Sequence, residues 1–257
     1  MVALACGGDV ATTAPEGTER AATTTSPAAP ATREVPAPAP AAAASPSPPL
    51  TLANRATTGS PATPARPPLV VFLGDSLTAG LGLASDEAWP ALVAARLAQN
   101  GTPIRPVNAG VSGDTSAGGL RRLAWLLKQK PDVVVVELGA NDGMRGQPIA
   151  GVEANLRAIL ERSRAAGARV LLVGLRVPPS IGGDYARDFA AVYPRLAHEL
   201  GVPLVPFLLE GVAGDPELNL PDGIHPNAKG QRRVADLMLP HLERVVREQP
   251  APRAAAR

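Results

Sequence analysis

A serine, a histidine and an aspartate in this chain have the settings that nucleophilic catalysis requires. Ser76 follows the apolar run LVVFL and the turn residues Gly-Asp, and Asp222 stands three residues before His225 in the segment DGIHP. A serine hydroxyl is a weak nucleophile until a base takes its proton, and a third group must orient that base. We therefore predict Ser76 as the nucleophile, His225 as the base and Asp222 as the orienting carboxylate.

An attacked carbonyl develops negative charge on its oxygen, so the site also needs hydrogen-bond donors already in place. The backbone N–H of Ser76, at the start of a predicted helix, can point at such an oxyanion. The N–H of Gly113 and the side-chain amide of Asn141 are the other two candidate donors. The structural alternatives are a helix cap for Ser76, a turn for Gly113, an Asx turn for Asn141 and a simple brace within the loop 222–225.

Five apolar runs alternate with five helical patterns along the chain, which is typical of an α/β fold. The runs are nearly continuous, so we expect strands buried on both faces of a parallel sheet with helices on each side. Trp89 and Trp125 fit helix faces and are expected in the core. The predicted strands are 69–73, 104–107, 132–138, 169–175 and 203–207, and the predicted helices are 88–99, 116–128, 153–166, 188–200 and 227–247.

The candidate residues all lie in loops that follow predicted strands. Ligands of parallel α/β folds bind beyond the carboxyl ends of the strands. Four polar, glycine-bearing loops occupy such positions, and we expect them to meet at one edge of the sheet. These loops are 74–76, 108–115, 139–143 and 222–226.

Four motifs in these loops resemble, in order and spacing, the four blocks of the SGNH hydrolases, also called the GDSL lipase/esterase family. The motifs are GDSL (74–77), SGDT (112–115), GAND (139–142) and DGIHP (222–226), and the resemblance spans roughly 67–248. It is greater still for the branch of thioesterase I, lysophospholipase L1 and arylesterase. The resemblance implies a three-layer α/β/α flavodoxin-like sandwich with sheet order 2-1-3-4-5. It also implies the catalytic roles given above for Ser76, Asp222 and His225, and the oxyanion roles of Gly113 and Asn141.

The resemblance further implies an acyl-binding groove bordered by Met144 and Arg145, and Val177 and Pro178 are expected on its other side. The predicted function is hydrolysis of carboxylic esters or thioesters, such as aryl esters, acyl thioesters and lysophospholipids, through an acyl-enzyme on Ser76 and without a cofactor. Activity is then expected to fall as the pH drops through roughly 6 to 7, where a free imidazole protonates. The alternatives are a carbohydrate O-acetylesterase and, from another class, a catalytically inert binding protein tethered to the cell envelope.

Other classes of function have no support in the sequence. A P-loop, a GxGxxG motif, the GxSxG elbow of α/β-hydrolases and the spacing of zinc ligands are all absent. The net charge of +2 is too small to favour nucleic acid. We therefore expect a monomer whose partner is a small-molecule ester or lipid.

The composition predicts one domain at 67–248 between disordered tails at 1–66 and 249–257. Of residues 1–66, 41 are Ala, Pro or Thr, and such a segment cannot bury enough apolar surface to offset its ordering entropy. Cys6 follows the residues VALA, a setting that resembles the lipid-modified cysteine of a bacterial lipoprotein signal; an unmodified cysteine in a disordered tail is the alternative. The predicted location is the bacterial cell envelope or periplasm, with Cys6 as lipid anchor and the tail as spacer, or the cytoplasm if the N-terminus is not a processed signal.

Overall fold

Five parallel strands form one sheet in the order β2-β1-β3-β4-β5, which confirms the predicted fold class. The computed structural model describes residues 66–248, so Cys6 and the tails, apart from Arg66, lie outside the described residues. The strands are β1 (Leu69–Gly74), β2 (Arg105–Gly110), β3 (Val133–Glu137), β4 (Arg169–Val173) and β5 (Leu204–Val205). The helices are α1 (Ser76–Ala79), α2 (Trp89–Gln99), α3 (Ser116–Leu127), α4 (Ala140–Met144), α5 (Ile149–Ala165), α6 (Gly183–Leu200) and α7 (Ala228–Arg247).

The central strands are buried along their whole length because helices cover both faces of the sheet. Every residue of β1 and β3 is buried, as their continuous apolar sequences predicted. Helix α2 packs against α7, whereas α3 packs against α5 and α5 against α6. These two groups of helices form the outer layers of the sandwich. Trp89 at the start of α2 is fully buried and lies edge-on to Phe72 of β1, with ring centroids 5.1 Å apart.

The register of the sheet brings the ends of three strands to one level. Gly74, the last residue of β1, pairs with Gly110 of β2 and with Glu137 of β3. The loops that follow these strands therefore start side by side, as the sequence predicted. A side chain at position 74 is excluded sterically, because its Cβ would lie 2.2 Å from the Thr78 hydroxyl and 2.5 Å from the Glu137 carboxyl.

Several elements differ from the expected ones. Trp125 is 66% exposed, so its predicted place in the core is wrong: Leu123 and Leu126 fill the inward face of α3 instead. Helices α5 and α6 begin four and five residues earlier than the predicted 153 and 188, and β5 is only two residues long. Helix α7 continues through Pro240. Among the described helices, none combines the length and the apolar character needed to cross a membrane.

Candidate active site

A tight turn at the end of β1 presents the Ser76 hydroxyl. Gly74 ends the strand, Asp75 caps the next helix, and Ser76 is the first residue of α1. The cap is the Asp75 carboxylate, whose Oδ1 accepts the Leu77 N–H at 3.0 Å, and not the Ser76 side chain. Helix α1 ends after one turn, where Gly80 adopts a left-handed conformation with φ of 75°. Ser76 is 8% exposed, so its hydroxyl lies in a sheltered position.

Three side chains form a continuous hydrogen-bonded line. The Ser76 Oγ lies 2.8 Å from Nε2 of His225, and Nδ1 of His225 lies 2.7 Å from Oδ2 of Asp222. Ser76 and His225 are 149 positions apart in sequence, so the fold alone brings them together. The distances are those expected for a serine paired with a base and an orienting carboxylate.

Asp222 is held in its ionised form. Its Oδ1 accepts the backbone N–H groups of His225 at 3.0 Å and Ile224 at 2.9 Å. These two bonds, followed by the bond to the His225 ring, lower the pKa of Asp222 to about 2. A carboxylate with so low a pKa remains an acceptor for the Nδ1 proton of His225 throughout the neutral range.

The loop that carries His225 is fixed on both sides. The Leu220 N–H donates to the His225 carbonyl at 2.7 Å, and Asn219 forms an antiparallel bridge with Pro226. Immediately afterwards, Asn227 caps α7 by accepting two N–H groups with its side chain. The backbone on both sides of His225 is therefore fixed, by the β-bridge between Asn219 and Pro226 and by the capped start of α7.

The two other candidate oxyanion donors lie in the loops after β2 and β3. Asn141 is the second residue of α4, and its Nδ2 donates to Oδ2 of Asp75 at 3.1 Å, which fixes the amide beside the turn 74–76 that carries Ser76. Gly113 has a φ of 79°, a conformation that favours glycine. The start of its loop is tied to β1, because the Val111 N–H donates to the Gly74 carbonyl at 3.0 Å.

The four predicted groove residues do not share one environment. Met144, the last residue of α4, is 40% exposed, and Arg145 is an exposed residue that donates to the Gly113 carbonyl at 3.2 Å. Pro178 is also exposed. Val177, by contrast, is 6% exposed and lies in the hydrophobic core, so its side chain does not line an open surface. The segment that begins at Ala140 is a helix and not the expected loop.

Two buried carboxyl groups next to the site were not recognised as functional candidates. Glu137, at the end of β3, is 1% exposed and accepts the Thr78 hydroxyl at 2.6 Å. Asp75, between Gly74 and Ser76, is equally buried. An acid that ends a run of four valines was the available signal for Glu137. Within residues 66–248, no cluster of three or more His, Cys, Asp or Glu residues suits a metal ion.

Comparison with known proteins places the chain in a family with this chemistry. Residues 72–233 match the GDSL-like Lipase/Acylhydrolase family. The match spans more than half of the chain and includes the turn 74–76 and the loop 222–226. The chain therefore belongs to this family and is an ester hydrolase, which confirms the class predicted from the motifs.

Three curated relatives carry names that include esterase or thioesterase. Esterase TesA of Pseudomonas aeruginosa is 46% identical over 175 residues, which cover 68% of this chain and 87% of the relative. The thioesterase 1/protease 1/lysophospholipase L1 of Escherichia coli strain K12 is 46% identical over 178 residues, covering 69% and 84%. The arylesterase of Vibrio mimicus is 40% identical over 174 residues, covering 67% and 87%. These relatives confirm the predicted branch of the family.

Solved structures agree with the fold. The crystal structure of TesA has a TM-score of 0.67 and 45% identity, covering 69% of this chain and 99% of that chain. The psychrotrophic esterase EstA from Pseudoalteromonas sp., in a structure inhibited by monoethylphosphonate, has a TM-score of 0.67 and 35% identity, covering 70% and 99%.

Proposed function

We propose that this chain is a serine esterase that cleaves carboxylic esters and thioesters through an acyl-enzyme on Ser76. The observation that carries the proposal is the line from Ser76 Oγ to His225 Nε2 at 2.8 Å and from His225 Nδ1 to Asp222 at 2.7 Å. A hydroxyl, an imidazole and a carboxylate in this order form a nucleophile, a base and an orienting group. Membership of a lipase/acylhydrolase family supports the same reaction.

The reaction proceeds in two halves. His225 takes the Ser76 proton as the oxygen attacks the carbonyl carbon, and the negative charge that forms is held by the N–H groups of Ser76 and Gly113 and the Asn141 amide. His225 then gives its proton to the leaving alcohol or thiol, and the acyl group stays on Ser76. Water, deprotonated by His225, attacks the acyl-enzyme; the acid leaves and Ser76 recovers its proton.

An apolar surface around the site favours substrates with an acyl chain. Among residues 66–248, five large apolar side chains are exposed, and four of them lie on or beside the four site loops. We call these four the apolar rim: Leu81, Val111, Met144 and Ile224, which are 40%, 48%, 40% and 47% exposed. Exposed apolar side chains grouped around a polar site are typical of ligand-binding surfaces. Fatty-acyl, aryl and lysophospholipid esters are therefore proposed over acetylated carbohydrate.

The deciding test is a panel of p-nitrophenyl esters from acetate to palmitate, assayed with the wild type and with Ser76→Ala. Loss of the nucleophile should lower kcat by at least about 10³-fold while thermal unfolding is unchanged, because the hydroxyl acts as part of a unit. Activity of the variant near that of the wild type would refute the mechanism. Hydrolysis restricted to the acetate ester would favour the O-acetylesterase alternative.

Covalent labelling separates an esterase from an inert binding protein. A serine-reactive phosphonate should add one adduct to the wild type and none to Ser76→Ala, detected by intact mass. Inhibition of the relative EstA by monoethylphosphonate supports the choice of probe. An unlabelled wild type would favour the binding protein.

We also propose a monomer in the bacterial cell envelope or periplasm, anchored through lipid on Cys6. Support comes from the VALAC sequence and the Ala/Pro/Thr-rich segment that follows it. Metabolic labelling with an alkyne-tagged fatty acid should mark the wild type but not Cys6→Ser. Equal labelling of both proteins, or of neither, would refute the anchor, and sedimentation of the purified protein would test the monomer.

A further inference from the structure

Two buried carboxyl groups lie at or next to residues 74–76, which we call the nucleophile turn, and the proposed reaction uses neither. Asp75 follows β1, Glu137 ends the neighbouring strand β3, and each is 1% exposed. Oε2 of Glu137 accepts the Thr78 hydroxyl at 2.6 Å and the Asp75 N–H at 3.3 Å. Its Oε1 is buried without a hydrogen-bond partner among the described residues. The two acids thus connect the backbone on either side of Ser76 to the centre of the sheet.

Asp75 joins the nucleophile turn to the proposed oxyanion donor. Its Oδ1 accepts the Leu77 N–H at 3.0 Å, and its Oδ2 accepts one N–H of the Asn141 amide at 3.1 Å. A carboxylate can only accept, so it requires the nitrogen and not the oxygen of the amide to face it. With one N–H fixed by Asp75, the second N–H of the same nitrogen remains for the substrate.

We propose that Asp75 is a positioning residue for the oxyanion hole, whose carboxylate holds the Asn141 amide with its second N–H towards the reacting oxygen. Glu137 holds the turn that carries Asp75 by accepting the Asp75 N–H and the Thr78 hydroxyl. This inference rests on the proposed function, because it takes Asn141 to be an oxyanion donor. It differs from a purely structural role for Asp75 in that most of its effect on kcat passes through Asn141.

The protonation states agree with this arrangement. Burial, together with the nearby Asp75 charge, raises the pKa of Glu137 well above its ordinary value, which favours its protonated form. Burial also raises the pKa of Asp75, to about 6, although the Leu77 N–H and the Asn141 amide oppose the rise. A proton retained on Glu137 would avoid two like charges side by side in the protein interior.

Two other charged groups near Asp75 shift its pKa in opposite directions. The imidazole of His225 lowers the pKa of Asp75 and the carboxylate of Asp114 raises it. Asp114 is itself paired with Arg122 at 2.7 Å, and Arg122 donates to the Gly74 carbonyl at 2.9 Å. Burial therefore remains the largest influence on Asp75.

A double-mutant cycle tests the inference with p-nitrophenyl butyrate as substrate. In Asp75→Asn, an amide oxygen that keeps the Leu77 N–H bond places the new NH₂ opposite that of Asn141, so the second N–H of Asn141 loses its direction. We expect kcat to fall about 10- to 100-fold with KM within about threefold, since an oxyanion donor acts in the transition state. In an Asn141→Ala background the same change should lower kcat by less than about threefold.

Asp142→Asn is the matched control. Asp142 is also a buried carboxylate, 4% exposed and next to Asn141, but it accepts the N–H and the hydroxyl of Ser116. Asp142→Asn should change kcat by the same factor in the wild-type and Asn141→Ala backgrounds. If Asp75→Asn also lowers kcat by the same factor in both backgrounds, Asp75 does not act through Asn141 and the inference is overturned.

The pH dependence gives a second measurement if Asp75→Asn does not fold. Asp75 loses its charge as the pH falls through about 6 and then holds the amide less firmly. The ratio of wild-type kcat to Asn141→Ala kcat should therefore shrink from pH 8 to pH 5, whereas pH effects that are independent of Asn141 occur in both proteins and cancel in the ratio. A constant ratio overturns the inference alone. If Asn141→Ala keeps wild-type kcat, the oxyanion role of Asn141 fails, and activity in Ser76→Ala would refute the esterase mechanism itself.

Discussion

The imidazole of His225 is 19% exposed, and both of its ring nitrogens lie within hydrogen-bond distance of a partner, Ser76 or Asp222. Asp222 supplies one oxygen to the ring and the other to two backbone N–H groups of its own loop. The same carboxylate therefore shapes the loop and fixes the ring. This double use explains how a side chain that is 42% exposed can orient a base.

Replacing Asp222 with asparagine should separate these two uses. The amide oxygen can still accept the backbone N–H groups, but the NH₂ facing Nδ1 favours the tautomer that cannot take the Ser76 proton. We expect kcat to fall by about 10²- to 10⁴-fold with thermal stability nearly unchanged. Asp215→Asn, an exposed aspartate in the preceding segment, is the control and should retain wild-type kcat. A small effect of Asp222→Asn would remove this carboxylate from the mechanism.

Because the pKa of Asp222 is about 2, its protonation cannot cause a loss of activity in the mildly acidic range. Asp75, whose pKa burial raises to about 6, is then expected to contribute to the acid limb. A pH–rate profile of kcat/KM from pH 4 to 9, recorded for the wild type and for Asn141→Ala, checks this expectation. Acid limbs of the same shape in both proteins would show that Asp75 does not contribute through Asn141.

At the scale of elements, the ends of β1 and β3 determine how the nucleophile turn is built. Glu137 lies in the core because Gly74 leaves room for its carboxyl group and Thr78 hydrogen-bonds to it. A buried acid of this kind has a consequence for stability. With a raised pKa in the folded chain, Glu137 keeps a proton that the unfolded chain loses above its ordinary value of 4.5.

Glu137→Gln should therefore gain stability over the wild type as the pH rises. In the wild type, protonated Glu137 makes its full contribution to stability below pH 4.5. This contribution is lost as the pH rises towards the raised pKa that Glu137 has in the folded chain. As the pH rises, the unfolding free energy of Glu137→Gln should increase relative to that of the wild type by at most about 1.4 kcal/mol per pH unit. Urea denaturation at several pH values measures it, with the exposed Glu161→Gln as control. A difference independent of pH would show that Glu137 is ionised in the folded chain.

The sequence predicted the long elements better than the short ones. Apolar runs such as VVVV (133–136) and their glycine-bearing ends identify the strands and the site loops directly. Helices α1 and α4 span four and five residues, too few for a periodic pattern to develop. The hydrogen bonds of Glu137 join it to residues 59 and 62 positions away in the sequence. These contacts depend on the register of the sheet, which no local sequence pattern encodes.

At the scale of the whole molecule, the large exposed apolar side chains of residues 66–248 are the apolar rim and Trp125 of α3. The rim belongs to the loops of the site, so its area should contribute to binding long acyl chains. Leu81→Ser combined with Ile224→Ser should lower kcat/KM for p-nitrophenyl octanoate about 10-fold through lost apolar contact, and for the acetate ester less than about twofold.

Trp125→Ser removes a larger exposed apolar side chain outside the rim and is the control for that experiment. It should leave the ratio of octanoate to acetate activity at the wild-type value. Equal losses for both esters in the rim variant would mean that these side chains shape the site without contacting the acyl chain.

The chain has two tryptophans, and their surroundings are opposite: Trp89 is 0% exposed and Trp125 is 66% exposed. In the folded protein, acrylamide should quench the emission of Trp125 and leave that of Trp89. Trp125→Phe would leave one emitter, packed on Phe72 in the strand that leads to Ser76. Its fluorescence would then report, without any added dye, whether the sheet beneath the nucleophile remains folded in each of the variants described above.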